Sequence, residues 1–114
     1  MTSRMNDTEE PMEFLVEFDT QIPERTPESE VSDRTNAEAA AASKLAQQGH
    51  LVRLWRQPAA SGRPVGLYRA DSAMHLDNLL RALPMYDWMR VTVTPLGPHP
   101  NDPRGLGDRS ARSP

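Results

Sequence analysis

From residue 12 to 19 the chain reads MEFLVEFD. Met12, Phe14, Val16 and Phe18 fall on one face, and Glu13, Leu15, Glu17 and Asp19 on the other. A period of two predicts a strand with one core-facing side and one mixed side. Pro23 and Pro27 then bracket a short connection, after which the period changes. In the segment TPES, Thr26 can cap a helix and Pro27 suits its first position. Glu28 and Glu30 complement the positive end of the helix dipole. The alanine-rich run AEAAAASKLAQQ has high intrinsic helicity and a slim, closely packable face. Gly49 supplies a left-handed stop. The pattern predicts a helix from about 27 to 48.

Residues 51–57, LVRLWRQ, predict a second strand with Val52, Leu54 and Arg56 opposite Leu51, Arg53 and Trp55. A turn through Pro58 and residues 59–63 leads to a third strand, PVGLYR at 64–69, so the two form a hairpin. Asp71 or Ser72 can cap a second helix whose Ala73, Leu76, Leu79, Leu80 and Leu83 form one stripe, with Pro84 marking its end. Residues 88–96 alternate Met89, Val91 and Val93 against Trp88, Arg90 and Thr92, a fourth strand. The order is β-α-β-β-α-β. It predicts an α+β, ferredoxin-like fold with a four-stranded antiparallel sheet and two helices on one face.

Composition places this domain between looser ends. The chain has 114 residues, enough for one domain, with 37% hydrophobic and 5% aromatic content. Residues 1–11 and 97–114 hold few large apolar side chains. The first segment is expected to be disordered and the second to be a Pro/Gly-rich tail, leaving 12–96 as the folded domain. Thirteen basic against sixteen acidic residues give a net charge of −3, which argues against a nucleic-acid binder. No apolar run approaches the roughly 20 residues of a membrane span. The first residues lack the apolar core of a signal peptide, so a cytoplasmic location is expected. With no cysteine there is no disulfide framework and no thiolate chemistry.

The second face of the sheet is expected to carry Glu13, Leu15, Glu17, Arg53, Trp55, Tyr68, Trp88 and Arg90. Two tryptophans and a tyrosine there predict a covered surface, most simply a second copy packed sheet to sheet about a two-fold axis. The alternative is a partly exposed face with scattered aromatics.

Several runs together resemble the muconolactone delta-isomerase family: EFLVEFD at the start, GHLVRLWR after the alanine-rich helix, ALPMYDWM leading into the last strand, and PLGPHP trailing it. The resemblance covers residues 12–102. It implies a dimeric α/β barrel of the ferredoxin-like type, forming a homo-oligomer built from dimers, up to a decamer. It also implies an enzyme without a cofactor that acts in the β-ketoadipate route of aromatic degradation. Its substrate would be a small lactone carrying a carboxylate. The family's acidic residue on the first helix matches Glu38. Its lysine three residues earlier is Thr35 here, its second-helix histidine aligns with Asp77, and Gly-Arg-Pro at 62–64 fills a small polar position. These departures bear on the substrate rather than the fold.

The reaction so implied moves a proton between ring carbons through a dienolate. It needs a base of tuned pKa, a donor for the enolate oxygen and a cation for the carboxylate. Glu38, alone among alanines, is the base candidate, because burial against methyl groups raises a carboxyl pKa. On the surface it would be an ordinary helix glutamate. His50 and His99 are the further catalytic candidates. His50 follows a helix C-terminus, where a cation is favoured in any case, and His99 either folds over a neighbouring subunit's pocket or is unstructured. Arg53 and Arg56 point to opposite faces, so only one can meet a given carboxylate; each could instead pair with Glu13 or Glu17. Trp55, beside Arg53, and Tyr68, a possible enolate donor or an interface residue, complete the substrate-binding candidates. The histidines at 50, 75 and 99 are widely separated in sequence and lack ligand spacing, so no metal site is expected. The competing reading is a dimeric α/β-barrel protein that binds or transforms a different small aromatic or polyketide-derived acid.

Overall fold

A computed structural model of the chain describes residues 11–104, so the expectations for residues 1–10 and 105–114 lie outside the described residues. Six principal elements follow in the expected order: β1 (Met12–Thr20), α1 (Glu28–Gln47), β2 (Leu51–Gln57), β3 (Arg63–Ala70), α2 (Ala73–Arg81) and β4 (Met89–Leu96). The sheet runs β2-β3-β1-β4 and every pairing is antiparallel. Short 3-10 turns at Pro58–Ala60 and Tyr86–Trp88 complete the hairpin and the approach to β4.

The core forms where the alternation of β1 meets the helix stripes. Phe14, Val16 and Phe18 are buried together with Leu45 of α1, Leu76 and Leu80 of α2, and Leu83 just beyond it. Because both helices pack on this one set of strand residues, they cover the same face of the sheet. α1 ends as a complete Schellman motif. Gly49 adopts φ +85°, its N–H donates to Ala46 O, and the N–H of His50 donates to Leu45 O. At the other end the cap differs from expectation. Pro27 is itself the cap, with no side-chain hydrogen bond, and the Thr26 hydroxyl donates to Pro23 O instead. Ser72, rather than Asp71, caps α2 by accepting from the N–H of His75.

Two residues expected on the open face of the sheet, Tyr68 and Trp88, lie on the helix side, and so does Leu51, which the alternation of β2 groups with Arg53 and Trp55. Tyr68 pairs with Phe14 and, like it, is buried in the core. Trp88 precedes β4, in the 3-10 turn, and is buried beneath the Arg34 guanidinium of α1, 4.4 Å from the ring centroid. Leu51 packs against the core because β2 contains a bulge: Leu51 pairs with Tyr68 but Arg53 with Leu67, leaving Val52 as the extra residue. Of the three aromatic residues expected there, Trp55 alone remains on the open face, 41% exposed with the Arg53 guanidinium 5.0 Å from its ring.

Candidate active site

Between α1 and the sheet lies a cleft of about 470 Å³, walled by Phe18, Leu54, Leu83, Met85 and Met89, with Glu38, Arg56 and Tyr68 as its ionisable groups. Helix periodicity brings Glu38 into it. Ala39 and Ala42 line the same cleft, and their small side chains leave the carboxyl room beneath the helix. Burial raises the Glu38 pKa above the ordinary carboxylate value. A hydrogen bond from the Met85 N–H to Oε1, at 2.9 Å, opposes that rise without cancelling it.

Tyr68 is pushed up to about 12, first by burial and then by the negative charge of Glu38. At neutral pH it is therefore a phenol, able to donate a hydrogen bond. Its ring lies across Gly66. A Cβ at position 66 would come within 2.7 Å of Tyr68 Cε1 and 3.3 Å of Leu54 Cδ1, so only glycine leaves the ring its place. Arg56 enters from β2, two residues beyond Leu54 and on the same face of the strand, and is exposed at the cleft. Gly62, at φ +75°, lies beside the Arg56 stem: a Cβ there would sit 3.4 Å from Arg56 Cδ. A carboxyl group, a phenol and a guanidinium thus share one cavity whose remaining walls are mostly apolar.

The other candidates lie elsewhere in this chain. Arg53 and Trp55 are on the open face of the sheet. Neither Arg53 nor Arg56 pairs with Glu13, which is held by Arg69 at 3.0 Å. His50 sits at the opposite end of the sheet, its Nδ1 2.9 Å from Arg69 O. Though distant in sequence, the rings of His50 and His75 meet edge to face with centroids 5.1 Å apart. His99 follows β4 near the start of β1, where its Nδ1 accepts from the Asn101 N–H. A larger hollow of about 670 Å³ adjoins that end, but its Arg69 and Glu13 neutralise each other. Among the described residues, no three His, Asp or Glu side chains gather so as to hold a metal ion.

Gly66, the Met85 N–H and Arg34 are not apparent as site residues from the sequence alone. An interior strand glycine was the available signal for the first. The other two depend on contacts that span 47 and 50 residues of chain.

Comparison with known proteins gives the family and the fold. The family model for muconolactone delta-isomerase matches residues 12–102. The chain is 30% identical over 93 residues to a muconolactone delta-isomerase of Cupriavidus pinatubonensis, covering 82% of this chain and all of that protein. It is 32% identical over 94 residues to muconolactone delta-isomerase 1 of Acinetobacter lwoffii, covering 82% of this chain and 96% of that one. The fold also matches a crystal structure of muconolactone isomerase with a TM-score of 0.73 at 24% identity, over 80% of this chain and 94% of the other. With its ferredoxin-like order and a family match spanning nearly all the described residues, the chain belongs to the muconolactone delta-isomerase family.

Proposed function

We propose that the protein catalyses a proton shift in an unsaturated lactone bearing a carboxylate arm, of the muconolactone kind, without a cofactor. The observation that carries this reading is the convergence of Glu38, Tyr68 and Arg56 on one cleft. Glu38 takes a proton from a ring carbon, and the released electron pair spreads through the conjugated system onto the lactone carbonyl oxygen. Tyr68 donates a hydrogen bond to that oxygen as its charge develops. Arg56 holds the carboxylate arm as a fork. Glu38 then returns the proton to a different ring carbon. The double bond has moved and nothing is oxidised or reduced. A base that must both accept and return a proton works best with a pKa close to the operating pH, and the upward shift of Glu38 is in that direction.

His99 lies far from Glu38 in its own chain, so its part in the reaction would require a second copy. His50, bonded to Arg69 O, is assigned to holding the β2–β3 end of the sheet. We take the open sheet face, with Leu15, Trp55, Val65 and Leu67, as the contact between two copies, and the cytoplasm as the compartment. No described helix is long and apolar enough to cross a membrane.

One observation favours the second reading, a different small aromatic or polyketide-derived acid. Thr35 lines the cleft where the family resemblance implies lysine, and Asp77 is engaged with Arg81 at 2.6 Å on α2. The test is incubation with muconolactone in deuterated buffer. Loss of the starting lactone to its double-bond isomer is expected, with deuterium at the ring carbons to the extent that the Glu38 carboxyl exchanges its proton with solvent before returning it. An unchanged, undeuterated lactone overturns the muconolactone reading.

A further inference from the structure

One peptide group near the cleft is held at both of its polar atoms by α1. The Pro84 carbonyl accepts from Arg34 Nη1 at 3.1 Å, and the N–H of the same peptide, on Met85, donates to Glu38 Oε1 at 2.9 Å. The peptide is trans, so these atoms point in opposite directions, and the two side chains, four residues apart on the helix, straddle it. Arg34 is itself fixed. Its guanidinium lies over Trp88 at 4.4 Å and pairs with Glu30 at 3.5 Å. The turn beyond is tied down as well, since the Trp88 N–H donates to Met85 O and Trp88 O accepts from the Gln21 N–H.

We propose that Arg34 is a positioning residue. By anchoring the Pro84 carbonyl it holds the Pro84–Met85 peptide so that the Met85 N–H occupies one oxygen of Glu38 and leaves the other aimed into the cleft. Arg34 does not touch the substrate; it acts through the peptide. The inference rests on Glu38 being the base. The ionisable groups sharing Glu38's surroundings are Arg34 from its own helix, Tyr68 from β3 and Arg56 from β2. Loss of the Arg34 contact would free the Met85 N–H to turn away, removing the one interaction that lowers the Glu38 pKa.

The test uses Arg34→Met, which keeps a long side chain over Trp88 but has no donor, and Arg34→Lys, which restores one. Each is made in the parent protein and alongside Glu38→Gln. With muconolactone as substrate, Arg34→Met should lower kcat by up to about 10²-fold, the scale of a misplaced reacting group, with KM little changed. Arg34→Lys should recover part of the loss. The Glu38 carboxyl, followed by carbon-13 NMR, should titrate higher in Arg34→Met than in the parent. In the Glu38→Gln background, Arg34→Met should have little further effect. A folded Arg34→Met protein with unchanged kcat and unchanged Glu38 titration overturns the proposal. If Arg34→Met does not fold, an Arg34→Lys protein identical to the parent in both readouts overturns it. If Glu38→Gln stays active while the Glu38 titration still moves with Arg34→Met, the base assignment fails and the anchoring of the carboxylate stands.

Discussion

Replacing Tyr68 with phenylalanine removes one oxygen and almost nothing else, so its effects on stability and on chemistry can be read apart. The phenol is buried, and its pKa rises from an ordinary 10.0 to about 12. A folded-state pKa above the unfolded value means that the folded protein holds this proton more tightly. The resulting stability is present in full below pH 10 and is lost as pH rises towards 12. Two pKa units correspond to about 2.7 kcal/mol. Urea denaturation at a fixed protein concentration should show the parent losing stability of this order across that interval. Tyr68→Phe should lack this part of the alkaline loss, while at neutral pH it should stay within about 1 kcal/mol of the parent. Phenolate absorbance, compared between parent and variant, assigns the titration to this residue. Turnover should fall about 10²–10³-fold, as for loss of a donor to a developing oxyanion. An identical alkaline limb in Tyr68→Phe refutes the burial argument, and undiminished turnover refutes the donor role.

Glu38→Gln should reduce turnover by about 10²–10⁴ while leaving the melting temperature unchanged or higher, because a half-buried carboxylate gives way to a neutral amide that can still accept from Met85. In the parent, kcat/KM should fall on acidification at a pH above the ordinary carboxylate pKa, since the base must be unprotonated. Gly66→Ala places a methyl group 2.7 Å from the Tyr68 ring and should cost about 1–3 kcal/mol in denaturation, with loss of activity as the ring is displaced. Arg56→Lys should raise KM more than it lowers kcat, because a single ammonium replaces a fork. Light scattering should report a dimer or a multiple of dimers; a monomer at every concentration would refute the contact through the Trp55 face.

Features encoded by neighbouring residues were the most legible in the sequence. The alternation of β1, the alanine-rich body of α1 and its Gly49 stop, and the leucine stripe of α2 each show their physical cause within a dozen residues. Face assignments beyond β1 were less secure, because they depend on register. Tyr68 belongs to the core through its pairing with Phe14, more than fifty residues away, and nothing within the run PVGLYR shows which parity faces inward. In the sequence Trp88 continues the alternation of β4, but the chain is still in a 3-10 turn there, and the tryptophan packs beneath Arg34. The site was legible residue by residue but not as a constellation. Glu38, Arg56 and Tyr68 were each candidates, whereas the cleft that joins them and separates them from Arg53, Trp55, His50 and His99 is a product of tertiary packing.

The bulge at Val52 has a consequence for how β2 tolerates changes in length. Leu51 and Arg53 lie opposite consecutive residues of β3, so Val52 is supernumerary to the ladder. Removing it would produce a regular strand in which Leu51 still meets the core, Trp55 still faces outward and Arg56 still enters the cleft. A one-residue deletion between Leu54 and Arg56 would instead exchange the two faces from that point and turn Arg56 away from Glu38. Position 52 is therefore the place in this strand where a codon can be lost with the cleft intact. Deletion of Val52 should leave an active protein, whereas deletion of Trp55 should not.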